Sequence, residues 1–460
     1  MNISDLITSG GDERIRLKEN GKNKYYVNPA DYAGFVSRSS CTCSPLNPET
    51  EEVVSQFTNG LSTEEFLSFR SAQEARLKKL VNYRGKDKFE LFLSPSGSDL
   101  SYYPLLFASL MAKGKDIVSL ITRPEELGKG SINASKGLFF GEENQFAEKV
   151  EKGQPLNPHL NIEYIPFPSF NPEGLVYDHR DELIAQINSI PEEKFIICSL
   201  VVGSKTGTID NIDLIKEVKR DILWIVDICQ FRVSRRLINQ LLDMGCLVMI
   251  TGSKFYQAPP FCGGMLVPKD LVSKFKEENL NYIEGFDRVF SKHDIPSSQT
   301  WLREQFKDYQ NLGLLARWEA ALYEIEQLNS YKVHTILKQA RKWNRAVTKE
   351  LGKNPEVFDI MPETNRTNWS IVSFQVKDQS GNFVKGDDLE AFYQQVIATP
   401  IAKLDNKKAL IGQPVHIGDQ SYIRMALGSY NLRRLIETPE NINQDKAIIE
   451  NILKLAKELN

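Results

Sequence analysis

The chain has 460 residues, 41% of them hydrophobic and 25% charged, with a formal net charge of −3. That length supports two domains rather than one, and the mixed charge gives no electrostatic case for binding nucleic acid or an anionic membrane. Uninterrupted apolar runs near the ~18 residues of a membrane span are missing, and the start, MNISDLITSGGDERIRLKENGKNK, lacks the apolar core of a signal peptide. A cytoplasmic protein is therefore expected, with its six cysteines (Cys41, Cys43, Cys198, Cys229, Cys246 and Cys262) reduced. Cys41-Thr42-Cys43 is too tightly spaced for a zinc pair and has no partner CxxC, so no metal site is expected.

In chain order, residues 1–75 are polar and mixed. A helix is expected from Pro48 to Phe57. A second begins after Ser62 in the sequence STEEF, where Glu64 and Glu65 suit the positive end of a helix. From Phe89 an α/β rhythm sets in. Strands are expected at Phe89–Ser94, Asp116–Thr122, Phe195–Val202, Ile222–Asp227 and Cys246–Ile250. Helices are expected at Leu105–Ala112, Asp181–Asn188, Asn211–Arg220 and around Leu237, Leu241 and Leu242. This alternation argues for an α/β fold with a mostly parallel sheet covered on both faces. Residues 123–172, rich in Gly, Asn and Pro, are too long for a plain connection and are expected to include a functional loop.

After Gly264 the character changes. A polar helix is expected at Lys269–Glu277, and 283–300 is irregular. A long helical pattern then runs from Trp301 to about Leu351, with Leu312, Leu315, Trp318, Ala321, Leu322 and Ile325 on one face and a break near Asn329. Strands at Trp369–Val376 and Tyr422–Ala426 alternate with helices at Gly386–Ile397 and Asn441–Leu459, a smaller α+β unit. The expected division is an N-terminal segment over 1–75, a large domain over 76–310 and a small domain over 311–460.

Two strand ends stand out. Ile222–Asp227 ends in an acid, and Cys246–Ile250 runs into Thr251-Gly252-Ser253-Lys254. In such sheets ligands bind beyond the carboxyl ends of the strands, so Asp227 and Lys254 are placed to face one pocket. An acid and a lysine so placed suit pyridoxal 5′-phosphate (PLP): the lysine forms the Schiff base and the acid keeps the pyridine nitrogen protonated. Ser253 and Thr251 offer hydroxyls to a phosphate. So does Leu93-Ser-Pro-Ser-Gly97-Ser98-Asp99, a strand ending in a turn that opens a helix, where free N–H groups bind anions. Val202-Gly203-Ser204-Lys205-Thr206-Gly207 follows another apolar strand and lacks the spacing of a Walker loop.

Taken together, Asp227-Ile-Cys-Gln230, Ser253-Lys254, the Gly97-Ser98-Asp99 turn and the late Arg424…Tyr430-Asn431 resemble the fold-type I PLP enzymes. Within them the similarity is to the class V aminotransferase and cysteine desulfurase group, over about residues 85–440. The resemblance implies a PLP-dependent transferase fold, with a seven-stranded-type, mostly parallel sheet and a smaller α+β C-terminal domain. It implies that Gly97, Ser98, Asp99 and Ser253 bind the phosphate, that Ser204 and Gln230 approach the ring, and that Arg424 grips a substrate carboxylate with its planar guanidinium. It also implies a homodimer in which Ser298-Gln299-Thr300 brings Thr300 to the partner's phosphate.

The implied activity is transamination of an amino acid, with a β-lyase or desulfurase as the alternative. A non-catalytic scaffold keeping the fold is the rival from another class. Two departures are legible. The family's ring-stacking histidine has no counterpart near Arg123-Pro-Glu125-Glu126, which leaves Glu126, Tyr102 or Tyr103 as stand-ins. No cysteine follows Cys262, so a desulfurase nucleophile would have to be Cys41 or Cys43.

Overall fold

The computed structural model describes residues 1–82, 87–112, 114–171, 176–361 and 369–459. In chain order its strands are β1 (Phe35–Arg38), β2 (Phe89–Ser94), β3 (Ile117–Thr122), β4 (Ile162–Phe167), β5 (Phe195–Val201), β6 (Leu223–Asp227), β7 (Leu247–Thr251) and β8 (Gly263–Pro268). There follow β9 (Phe358–Ile360), β10 (Ile371–Val376), β11 (Pro400–Ile401), β12 (Lys407–Ile417) and β13 (Gln420–Ala426). Seven of them form one sheet in the order β2-β8-β7-β6-β5-β3-β4. The strands from β7 to β4 run parallel, and β8 is antiparallel to both of its neighbours. This is the mostly parallel seven-stranded sheet that the α/β rhythm and the resemblance imply. β2, β3, β7 and β8 are buried along their whole length, as strands covered on both faces must be.

The register gathers chain ends at one edge. Ser94, the last residue of β2, and Thr251, the last of β7, both pair with Gly263, the first of β8. Asp227 pairs with Val201 on one side and Met249 on the other. The ends of β2, β6 and β7 and the start of β8 therefore share one rim of the sheet.

The second sheet has the order β1-β12-β13-β10-β9, with β11 on β12. β1, from the N-terminal segment, lies parallel to β12 and completes a sheet otherwise built from residues beyond 357. Helices Val333–Leu351, Gly386–Ala398 and Ile442–Ala456 share its core, with Trp343, Phe374, Phe392 and Ile448 buried together. Helix Leu312–Asn329 instead packs Leu315, Trp318 and Leu322 into the core that holds Leu91, Val226 and Ile250 of the large sheet.

Several elements differ from expectation. β8 escapes the sequence pattern because Gly263-Gly264 and Pro268 read as breakers. β4 is hidden inside the irregular 123–172 segment, because Pro166 reads as a breaker and, as an edge strand with one neighbour, it is only partly buried. The Asn211–Arg220 helix shrinks to Leu214–Glu217, since the Asn211 side chain accepts the Asp213 N–H in a local turn (3.0 Å) that competes with helix. The long pattern after Trp301 divides into Thr300–Arg303, Leu312–Asn329 and Val333–Leu351. Asn311 caps the second by accepting from the Leu314 amide (2.9 Å). The Ser62 cap forms a full capping box with Glu65 over Thr63–Val81. No helix among the described residues is long and apolar enough to cross a membrane.

Candidate active site

The rim described above positions Lys254 three residues past β7, beside Asp227 at the end of β6. The Lys254 amine donates to the Thr42 carbonyl (2.6 Å) and lies 5.4 Å from the centre of the Phe261 ring. Burial pushes this amine below the usual lysine range, with the Cys43, Cys41 and Cys229 thiols opposing and Arg424 adding to the effect. Burial raises the Asp227 carboxyl, opposed by its hydrogen bond from the Cys229 amide (2.7 Å) and by the charges of Lys254 and Lys205. The Ser253 hydroxyl is buried with no hydrogen-bond partner among the described residues.

The turn after β2 is tightly built. Ser96 Oγ donates to the Asp99 carboxylate (2.5 Å) and accepts from the amides of Ser98 (3.1 Å) and Asp99 (3.2 Å). Gly97 sits in close approach to β7: a Cβ there would come 3.1 Å from Thr251 Cγ2, tight enough that the methyl would have to shift. Arg14, which no sequence pattern singles out, donates to Ser98 Oγ (3.0 Å) and Ser96 Oγ (3.1 Å) and forks onto both oxygens of Asp12 (2.7 Å each). Its guanidinium lies over the faces of Phe140 (4.8 Å) and Phe261 (5.0 Å). Against the pull of burial, Asp12 holds the Arg14 proton more firmly than usual. Burial, then the Asp12 charge, raise the Asp99 carboxyl to about 7. Nothing in the local pattern Gly-Asp-Glu-Arg marks Arg14, because only tertiary contact brings residue 14 to residues 96–98.

The third wall is the N-terminal loop Ser40–Cys43. Gln230 donates to the Cys41 carbonyl (3.1 Å), so it holds this loop rather than standing free. Arg232 donates to Ser40 Oγ (2.8 Å), Ser370 Oγ (2.8 Å) and the Leu427 carbonyl (2.6 Å), after a turn in which Phe231 takes the left-handed conformation (φ 53°). Arg424, on β13 between Ser373 of β10 and Gly412 of β12, donates to Thr42 Oγ1 (3.2 Å) and the Lys205 carbonyl (3.3 Å), and to the Gln413 carbonyl. Gly412 makes room for the loop: a Cβ there would lie 2.6 Å from Cys41 Sγ.

The structure thus brings Asp227, Gln230, Lys254, Arg424 and the loop at Cys41 into one network, with Gly97, Ser98 and Asp99 on the same rim. Ser204 turns its hydroxyl into its own loop, meeting Glu126, and Thr206 and Thr208 also donate to that carboxylate. Of the stand-ins for a ring-stacking residue, Glu126 therefore caps the 204–208 turn. Tyr103 stacks on Phe290 (4.0 Å) and donates to the Leu93 carbonyl (2.6 Å), while Tyr102 stacks on Phe140 (5.9 Å) and donates to the Leu138 carbonyl (2.9 Å). Thr300 is exposed at the start of Thr300–Arg303, and the network around Lys254 does not include it. Cys41 and Cys43 are buried free thiols, and burial pushes Cys43 up to about 12.

These features define a class of architecture. The chain has the fold of the PLP-dependent transferases of fold type I: the parallel sheet with its antiparallel β8, the second smaller sheet, and the rim that gathers Asp227 and Lys254. Solved structures that share this fold include a NifS-like protein, a cysteine desulfurase and an aminotransferase. The structure of a NifS-like protein from Rickettsia africae ESF-5 superposes with a TM-score of 0.55 at 12% identity, covering 89% of this chain and 99% of that one. The cysteine desulfurase CsdA from Escherichia coli gives 0.57 at 13% identity, covering 93% and 97%. The ureidoglycine-glyoxylate aminotransferase from Bacillus subtilis gives 0.53 at 11%, covering 91% and 97%. Neither a protein-family model nor a curated protein sequence matches the chain. At such identities the likeness establishes the fold.

Proposed function

We propose that the protein is a PLP-dependent enzyme that transaminates an amino acid. The observation that carries this reading is Lys254: a half-buried amine with weakened proton affinity at the end of β7, beside the Asp227 carboxyl at the end of the neighbouring strand. The residues present fit the cofactor. Ser253 has a buried hydroxyl in need of a partner, and the Ser96–Asp99 turn with the Arg14 guanidinium suits a phosphate. A carboxyl that burial pushes upward, as at Asp227, is held ionised by a protonated ring nitrogen.

PLP, when bound, supplies an electron sink for bonds at the substrate Cα. Lys254 supplies the amine that tethers the cofactor and then moves a proton at Cα, a task suited to a lysine of lowered pKa. Arg424 orients the substrate by one carboxylate. A β-lyase that relies on a Cys43 thiolate is disfavoured, because a thiol raised to about 12 stays protonated at neutral pH. We also infer a homodimer, supported by the resemblance of the Ser298–Thr300 segment and by the exposure of Thr300.

Borohydride reduction of the protein mixed with PLP tests the reading. The expected result is one covalent label, on the peptide that contains Lys254, and none in Lys254→Ala. A protein that ignores PLP, or a label on another lysine, overturns it. Amino-group exchange between amino acids and oxo acids then checks transamination, and a monomeric mass in light scattering would remove the dimer.

A further inference from the structure

Four cations converge on the cleft: Lys205, Arg232, Lys254 and Arg424. Among the described residues none forms an ion pair with a carboxylate. Lys205 donates to the Leu127 carbonyl (2.6 Å), Lys254 to the Thr42 carbonyl, and both guanidiniums to hydroxyls, an amide oxygen and carbonyls. Neutral acceptors fix the direction of a cation without cancelling its charge. Two acids stand near them, Glu126, which accepts from Ser204, Thr206 and Thr208, and Asp227, which accepts from the Cys229 amide; their charges offset part of the cluster, and positive charge remains in excess.

The cations feel one another. Burial, then the Arg424 and Lys254 charges, with Glu126 opposing, push the Lys205 amine down to about 7. Burial, with Arg424 adding, brings Arg232 down to about 10. Lys205, Arg232 and Lys254 nevertheless keep surface open to solvent, so a ligand can reach them. The phosphate end of the cleft is balanced separately, by Arg14 with Asp12.

A buried arginine without a carboxylate is not by itself a binding site. Arg317 is fully buried and donates to the carbonyls of Ile7, Ser9, Gly10 and Phe261, three of them at and beyond the C-terminal end of helix Ile3–Ile7, a plain structural use. The cleft differs in three ways: its cations are grouped, they repel one another, and three of the four, Lys205, Arg232 and Lys254, remain in reach of solvent. Like charges held together in a desolvated place are costly unless a counter-ion arrives.

We propose that the substrate is an acidic amino acid, whose α-carboxylate meets Arg424 and whose second anionic group meets Arg232 and Lys205. That it is an amino acid rests on the proposed function, whereas the demand for two anionic groups rests on the cation cluster alone. Arg232 and Arg424 both donate into the loop Ser40–Thr42, from the β6 and β13 sides, and the Arg424 charge acts on Arg232.

Titration calorimetry of the full chain, with PLP added, against succinate and against butyrate tests this. The two probes match in length and differ by one carboxylate. Succinate is expected to bind about tenfold or more tightly than butyrate, the worth of one charge-assisted contact. Arg232→Gln brings succinate down to the butyrate level and leaves butyrate unchanged, whereas Arg424→Gln weakens both. Should Arg232→Gln not fold, Lys205→Met carries the test, with a reduced succinate preference expected. Equal affinities, no binding of succinate, or a preference that survives both Arg232→Gln and Lys205→Met overturns the proposal. Borohydride labelling of Lys254 is read on the same samples. A succinate preference without labelling removes the cofactor reading alone, and labelling without a preference removes the dianion alone.

Discussion

Arg38 and Arg424 belong to the same sheet and are equally buried, at 2% and 1% exposed, yet they are treated in opposite ways. Arg38, on the β1 edge, forks onto Asp445 (2.6 and 3.0 Å), which also accepts from the Trp343 indole (2.9 Å). Arg123 in the large domain is handled likewise, paired with Asp210 at 2.7 Å. Arg424, two strands from Arg38, meets carbonyls and a hydroxyl. The difference separates arginines that hold the fold from arginines that wait for an anion. A paired ion is complete within the chain, and an unpaired one facing a cleft is completed by something else.

The largest effect expected from this contrast is in stability. Asp445→Ala strands the Arg38 charge in the core and is expected to cost about 3–5 kcal/mol in urea unfolding; a loss under about 1 kcal/mol would show that the pair is not what holds β1 in place. Arg424→Leu removes a charge with no stranded partner and leaves only neutral acceptors behind, so about 1–3 kcal/mol is expected. Should Arg424→Leu prove as damaging as Asp445→Ala, the two arginines would be structural alike and the contrast would collapse.

The most diagnostic effect is in pH dependence. The Lys205 amine sits at about 7, below its ordinary 10.5, so the folded state binds fewer protons than the unfolded one between those values. The cost of Lys205 is then fully present below pH 7 and fades as pH rises toward 10.5. Lys205→Met should raise the melting temperature most in acid and hardly at all near pH 10.5. A difference that stays constant across this range would mean that Lys205 is an ordinary surface lysine, and the cluster would lose a member.

Much of the site is legible in the amino-acid order. Asp227 and Lys254 announce themselves because each closes an apolar, β-branched strand, and strand ends in parallel sheets converge on one edge. Ser62 and the apolar face from Leu312 to Ile325 follow the same local logic. β4 and β8 are not legible: a half-exposed edge strand interrupted by Pro166 and a short strand framed by glycine and proline both look like turns. Tyr102 and Tyr103 are plausible beside a ring on pattern alone, whereas packing sets them against Phe140 and Phe290.

Local pattern suffices for the α/β rhythm and for the strand ends that carry an acid and a lysine. These rest on interactions within one or two turns of chain, where periodicity and capping leave a mark. Long-range packing is what carries β1 across to the C-terminal sheet, takes Arg14 to Ser96 and Ser98, and sets Arg232, Lys205 and Arg424 in one cleft. Those contacts join residues tens to hundreds of positions apart, and which cation lacks a carboxylate depends on what the folded chain sets beside it.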